Sequence, residues 1–224
     1  MEVVGRRERK KLQTRQLLAE TARRLFADRG FEQVSVAEVA READVAEATV
    51  FNYFPTKEDL VYSGLETFES DLLAAVRDRP RDESILSAFG RFVLEPRGFL
   101  ASRDRDSAER LLEISRMIAE SPALLAREQQ ILARYTASLA QLIAQETGAA
   151  DDDPRPAVAA AALIGVHRSL IEHVRTQILS REDDLTRIAR STRAAGKKAL
   201  GLLEGGLGDY GTRATAKKPV LRSG

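Results

Sequence analysis

Cysteine is absent from this 224-residue sequence, and histidine occurs only twice. The first absence excludes disulfides and thiolate metal sites and fits a reducing cytosol. The second leaves little for metal or acid–base chemistry. His167 and His173 fall six residues apart on one helical segment, which puts them on different faces. There is no Ser-centred nucleophile elbow, Gly-rich phosphate loop or metal-spaced carboxylate set, so neither an enzyme activity, a metal nor a cofactor is expected. Apolar runs fall short of the roughly 18–20 residues of a membrane span. The N-terminus is charged where a secretory signal needs an apolar core. A cytoplasmic chain with no membrane partner is the expectation.

Charge of one sign is also lacking overall, since the formal net charge is only +1. Its distribution is more telling. Arg6, Arg7, Arg9, Lys10, Lys11 and Arg15 crowd the N-terminus against the single acid Glu8. Such a cluster is an electrostatic footprint for phosphate, the other reading being a solvated basic tail.

Helical periodicity runs through almost the whole sequence, and no apolar–polar alternation is long enough for a sheet, so the expected fold class is all-α. From Arg9 to Arg29, Leu18, Ala22, Leu25 and Phe26 fall on one face. Gly30 supplies a left-handed stop, and Phe31 folds back on the helix. Ser35 and Glu38 make a capping-box pair. Thr56, after the break at Pro55, caps a helix expected to run through Asp78. Further helices are expected at Glu83–Leu94, Asp104–Glu120, Ala123–Glu146, Pro156–Leu179 and Asp183 to about Glu204, nine helices in all. From Thr212 the tail carries Arg213, Lys217, Lys218 and Arg222 with no acid, which predicts disorder.

Within this pattern, residues 35–60 have the spacing of a helix-turn-helix. Ala40 is the small residue where two helices cross, Val50 the apolar residue that closes the contact, and Val36, Val39, Ala43 and Val45 complete a small core. Asp44 falls at the turn position that needs a positive φ, where glycine is favoured and Asp is one of the few alternatives. Any helical hairpin would also need small residues and a turn, so spacing alone leaves both readings open.

The segment Thr49-Val50-Phe51-Asn52-Tyr53-Phe54-Pro55-Thr56-Lys57-Glu58-Asp59-Leu60 closely resembles the signature of the TetR family of transcriptional regulators. Gly30-Phe31, the Ser35 helix start and Ala40 match as well, so the likeness in motif covers about residues 12–62. The resemblance implies an N-terminal three-helix helix-turn-helix domain (1–55, with its basic arm), a larger helical effector-binding and dimerisation domain (56–208) and a basic tail (209–224). It implies double-stranded DNA, an unknown small-molecule effector and a second copy of the chain as partners. It further implies a repressor released from a palindromic operator by its effector. The alternative is an architectural DNA-binding protein without sequence preference or effector.

Carried over residue by residue, the resemblance starts the recognition helix near Ala46, with Glu47, Ala48 and Asn52 facing base edges. Thr49, Phe51 and Tyr53 match positions that touch the DNA backbone or a base edge, Lys57 matches a phosphate-contacting lysine, and Ser35 opens a helix whose amides favour an anion. Phe51 and Phe54 also read as core, and Glu47 as a complement to the helix dipole. Two positions depart from the family pattern. Asp44 replaces a turn glycine, and Ala46 replaces a capping Ser; Asp44 with Glu47 is a candidate substitute capping pair.

In the larger region Phe89, Phe92, Arg116, Tyr135, His167 and Arg168 are the candidate effector-pocket residues. The bland readings are surface or salt-bridged positions for the two arginines and a core or interface role for His167. Convergence of two of the polar groups would favour an anionic or carbonyl-bearing effector. The segments EISRMIAESPALLARE and RSTRAAGKKALGLLEGGLGDYG are similar to a subgroup whose C-terminal domain is described as acyl-CoA-like ligand binding, a likeness too short to assign the effector. The last two helices resemble the family's four-helix dimer interface. Ala157, Ala159 to Ala162 and Gly165 allow close approach there, and Leu170, Val174, Leu185, Ile188, Leu200 and Leu203 are the expected apolar seam.

Overall fold

Capping side chains and glycines divide the chain into helices. Ser35, Thr56, Ser84, Asp104, Ser121 and Asp184 each accept a backbone amide at a helix start, satisfying donors that have no partner within the helix. This computed structural model describes residues 5–207 apart from 64, 66, 103, 181 and 182, and apart from the side chains of residues 6 and 7. Among the described residues the α-helices are α1 (Arg6–Arg29), α2 (Val36–Glu42), α3 (Glu47–Tyr53), α4 (Lys57–Val61), α5 (Phe68–Arg77), α6 (Ile85–Val93), α7 (Arg105–Glu120), α8 (Pro122–Thr147), α9 (Arg155–Leu179), α10 (Leu185–Gly201) and α11 (Glu204–Leu207). One 3-10 turn covers Gly98–Ala101, and no strand occurs among these residues.

The fold is all-α, as the periodicity predicts, but with eleven α-helices where nine are expected. The helix expected from Thr56 to Asp78 is two. Helix α4 ends where Tyr62 turns its hydroxyl onto the Leu124 carbonyl at 2.9 Å, and α5 starts at Phe68. The short α11 accounts for the second extra helix. Helix α1 begins at Arg6 rather than Arg9, so much of the basic cluster stands on its first turns instead of on an extended arm. The basic tail expected beyond residue 208 lies outside the described residues.

Gly30 ends α1 with φ +85° and ψ 147°, not left-handed helical but equally suited only to glycine, and its amide donates to the Phe26 carbonyl at 2.8 Å. Phe31 then packs edge-on against Phe26, ring centroids 5.1 Å apart.

A continuous apolar core runs from Leu18 in α1 to Leu200 in α10, across the expected boundary at residues 55 and 56. Helices α8 and α9 lie side by side at its centre, with α7 and α10 against α9. Helix α9 is long and apolar enough by length and composition to span a membrane, contrary to the expectation from the sequence. Its hydropathy comes from alanines and from a core face that packs on α8 and α10 within this chain.

Candidate DNA-reading face and ligand cavity

The helix-turn-helix forms because the α2–α3 turn is tight. Asp44 has φ +53°, the one non-glycine positive φ among the described residues, and the Val45 amide donates to the Ala40 carbonyl at 3.0 Å. Val39, Ala40 and Val50 are buried at the crossing. Ala46 caps α3 without a side-chain hydrogen bond, so no Asp44–Glu47 pair takes over that role. The far end of α3 is secured from α1. Arg15 donates to the Tyr53 carbonyl at 2.7 Å and lies over the Phe54 ring, 4.2 Å from its centroid. An arginine counted with the basic cluster thus positions the recognition helix.

Helix α3 turns Glu47, Ala48, Phe51 and Asn52 to solvent on one face, with Thr49 and Tyr53 half-buried beside them. The two phenylalanines separate. Phe54 is 1% exposed and belongs to the core, whereas Phe51 is 45% exposed and does not. Ser35 is exposed at the start of α2, where its hydroxyl and amide both engage the Glu38 carboxylate. Those bonds and Arg29 lower Glu38 to about 2. Lys57 stands 4.2 Å from the centre of the Phe31 ring, its stem half-buried, and burial lowers its pKa. The aromatic face thus holds the ammonium at the start of α4.

A cavity of about 1200 Å³ lies between this unit and the larger helical body. Its wall includes Gln16, Ala19, Glu20, Arg23 and Phe26 of α1, Leu60 and Val61 of α4, and residues from α5 to α10. Of the six pocket candidates, Phe92, Tyr135 and His167 line it. Arg116 and Arg168 do not. Each follows a wall residue, Ser115 and His167, and one residue is a rotation of about 100° that carries both arginines to solvent. Phe89 is fully buried in the core instead of on the wall.

Phe68, unremarked in the sequence, organises the wall. Its ring stacks on His167 at 4.5 Å and on Tyr135 at 5.4 Å, and meets Phe92 edge-on at 5.3 Å. Burial lowers His167 to about 4, so its imidazole is neutral at neutral pH, and burial also raises Tyr135. Arg175, Glu128, Ser115 and Thr192 are buried polar wall residues the sequence reading also missed. Arg175 pairs with Glu128 and, at 2.8 Å, with Glu172. The signal for Arg175 was its register, four residues after Ile171 and three before Ile178, on the apolar face of α9.

Among the described residues, four hydrogen-bonded residue pairs tie the DNA-reading unit to the helical body. Ser121 donates to Glu32 at 2.6 Å, Arg127 to Asp59 at 2.7 Å, Tyr62 to the Leu124 carbonyl at 2.9 Å, and Arg23 to Glu113 at 3.1 Å. Among the described residues no cluster of His, Asp or Glu has the make-up of a metal site.

A helix-turn-helix with an exposed recognition face, set on a helical body, defines a DNA-binding transcriptional regulator and not an enzyme. Residues 18–62 match the family described as bacterial regulatory proteins, tetR family, and residues 96–195 match the MftR C-terminal domain. The chain belongs to the TetR family. It is 29% identical to the HTH-type transcriptional regulator TcmR of Streptomyces glaucescens over 68% of this chain and 69% of that one. It is 26% identical to the transcriptional regulator MftR of Mycobacterium tuberculosis over 70% of this chain and 77% of that one. In fold it is similar to NalD, the secondary repressor of the MexAB-OprM multidrug efflux pump in Pseudomonas aeruginosa, with a TM-score of 0.52 at 20% identity, covering 84% of this chain and 96% of NalD.

Proposed function

We propose that the protein is a cytoplasmic homodimeric repressor that leaves a palindromic operator when a small molecule fills the cavity. The observation that carries this reading is the shared wall: α1 and α4, which frame the recognition helix, also bound the cavity. A ligand there touches the DNA-reading unit directly. In a two-fold dimer the two recognition helices read one operator only when about 34–36 Å apart, so a ligand that favours another spacing shifts the population off DNA. Glu47, Ala48 and Asn52 are the proposed base-reading residues, with Ser35, Thr49, Phe51, Tyr53 and Lys57 on the backbone.

The proposed dimer surface differs in detail from the expected seam. Leu170, Leu185, Ile188 and Leu200 are buried within their own chain. Ala157, Val158 and Ala161 remain exposed along α9, with Ala162 and Gly165 half-buried beside them and Val158 64% exposed. Small residues on this stripe permit close helix approach, which supports pairing through α9 and α10. Selection of bound fragments from a random DNA library tests the reading. A two-fold site with half-sites one turn apart is the expected product; sequence-independent recovery would instead favour an architectural role.

A further inference from the structure

We propose that the cavity takes an uncharged ligand with a large apolar body and an acceptor oxygen, and that His167 donates the hydrogen bond that reads this oxygen; the inference rests on the cavity being the effector site. The wall holds as many carboxylates as arginines, four of each. The arginines facing inward are already matched. Arg23 bonds Glu20 at 2.6 Å, Arg97 bonds Glu95 at 3.0 Å, and Arg175 is paired with Glu128 in the buried part of the wall. Arg110 and Asp71, the remaining two, are exposed and of opposite sign. In the buried part of the wall an anionic ligand would have to displace Glu128 to gain Arg175, leaving a buried charge unmatched. An uncharged ligand meets no such penalty.

The wall has one polar ring free to serve such a ligand. Tyr135 donates its hydroxyl to the Leu65 carbonyl at 3.3 Å. The ring of His167 is held by the Phe68 stack, and among the described residues neither of its nitrogens has a hydrogen-bond partner. Neutral imidazole offers one donor and one acceptor. Around it Phe68, Phe92, Ile171 and Leu132 make an apolar wall. Of the two ligand chemistries that the polar wall residues suggest, the carbonyl-bearing one is favoured over the anionic one.

Fluorescence titration with three probes tests this on the full-length protein: Nile red (uncharged, carbonyl-bearing), 1-anilinonaphthalene-8-sulfonate (an anion) and diphenylhexatriene (a hydrocarbon). Nile red should bind at least about tenfold more tightly than the sulfonate. His167→Phe, which preserves the stack, should weaken Nile red about tenfold, the value of one lost hydrogen bond, and leave diphenylhexatriene unchanged. His167→Gln, which restores a donor, should recover most of the loss. Tighter binding of the sulfonate, or equal losses of Nile red and diphenylhexatriene in His167→Phe, would overturn the uncharged-ligand inference alone. Failure of all three probes to bind would overturn the cavity reading beneath it.

Discussion

The hydroxyl of Tyr62, at the end of α4, donates to the backbone carbonyl of Leu124 in the first turn of α8 at 2.9 Å. This buried bond joins the helix that follows the recognition helix to the central helix of the body, at the edge of the cavity. Asp59, one turn earlier on α4, accepts from Arg127 on α8. Movement of α8 relative to α4 must therefore either carry the DNA-reading unit with it or break these contacts.

Removing the hydroxyl tests that link. Tyr62→Phe keeps the ring and leaves the Leu124 carbonyl without this donor, so urea unfolding should show a loss of about 1–2 kcal/mol. The same variant should respond less to ligand when operator binding is followed by fluorescence anisotropy.

At the turn, Asp44 holds a positive φ that a branched side chain tolerates poorly. Asp44→Val should destabilise by about 1–3 kcal/mol in thermal or urea melts. Asp44→Gly should remain within about 1 kcal/mol of the parent, because relief of strain is offset by the greater freedom of glycine in the unfolded chain.

DNA contacts separate by salt dependence. Lys57→Met keeps apolar packing on Phe31 and removes the charge, so affinity should fall on all sequences and the salt slope should drop by about 1. Asn52→Ala should cost about 1–3 kcal/mol on the selected operator and little on bulk DNA.

Acid should weaken the fold partly through His167. Burial sets its folded pKa at about 4, below the ordinary 6.5, so the unfolded chain takes up the proton first. The contribution is fully present above about pH 6.5 and is lost as pH falls through 4. Stability measured from pH 7 to 5 should fall less steeply in His167→Phe than in the parent.

Breaking the buried pair has a larger effect. Arg175→Met leaves Glu128 buried without its main cation and should cost about 3–5 kcal/mol, with Arg175→Met/Glu128→Leu recovering much of it. Chemical denaturation of the single and double variants measures both.

The DNA-reading unit was legible because its signals are local. Gly30–Phe31, the Ser35–Glu38 and Thr56–Asp59 boxes and Asp44 each act within a few residues. The two boxes and Asp44 adopt the expected geometry, and Gly30 ends its helix with ψ 147° in place of the expected left-handed helical value. The cavity was legible only in part. Periodicity marks Phe92, Tyr135 and His167 as inward, but the rotation that turns Arg116 and Arg168 outward is set by how α7 and α9 pack on α8. Phe68 is not marked by periodicity, because the helix expected from Thr56 to Asp78 breaks and α5 starts afresh at Phe68. The leucines expected at a dimer seam are instead needed inside the chain itself, since α10 has α9 to cover.

The most direct measurement is operator affinity with the cavity empty and filled, together with ligand affinity on free and operator-bound protein. The ligand would be one found by thermal-shift screening and displaced by Nile red. Coupling through the shared α1–α4 wall predicts that filling the cavity weakens operator binding at least about tenfold, and that operator weakens ligand binding by the same factor. An operator dissociation constant unchanged by a saturating cavity ligand would contradict the account.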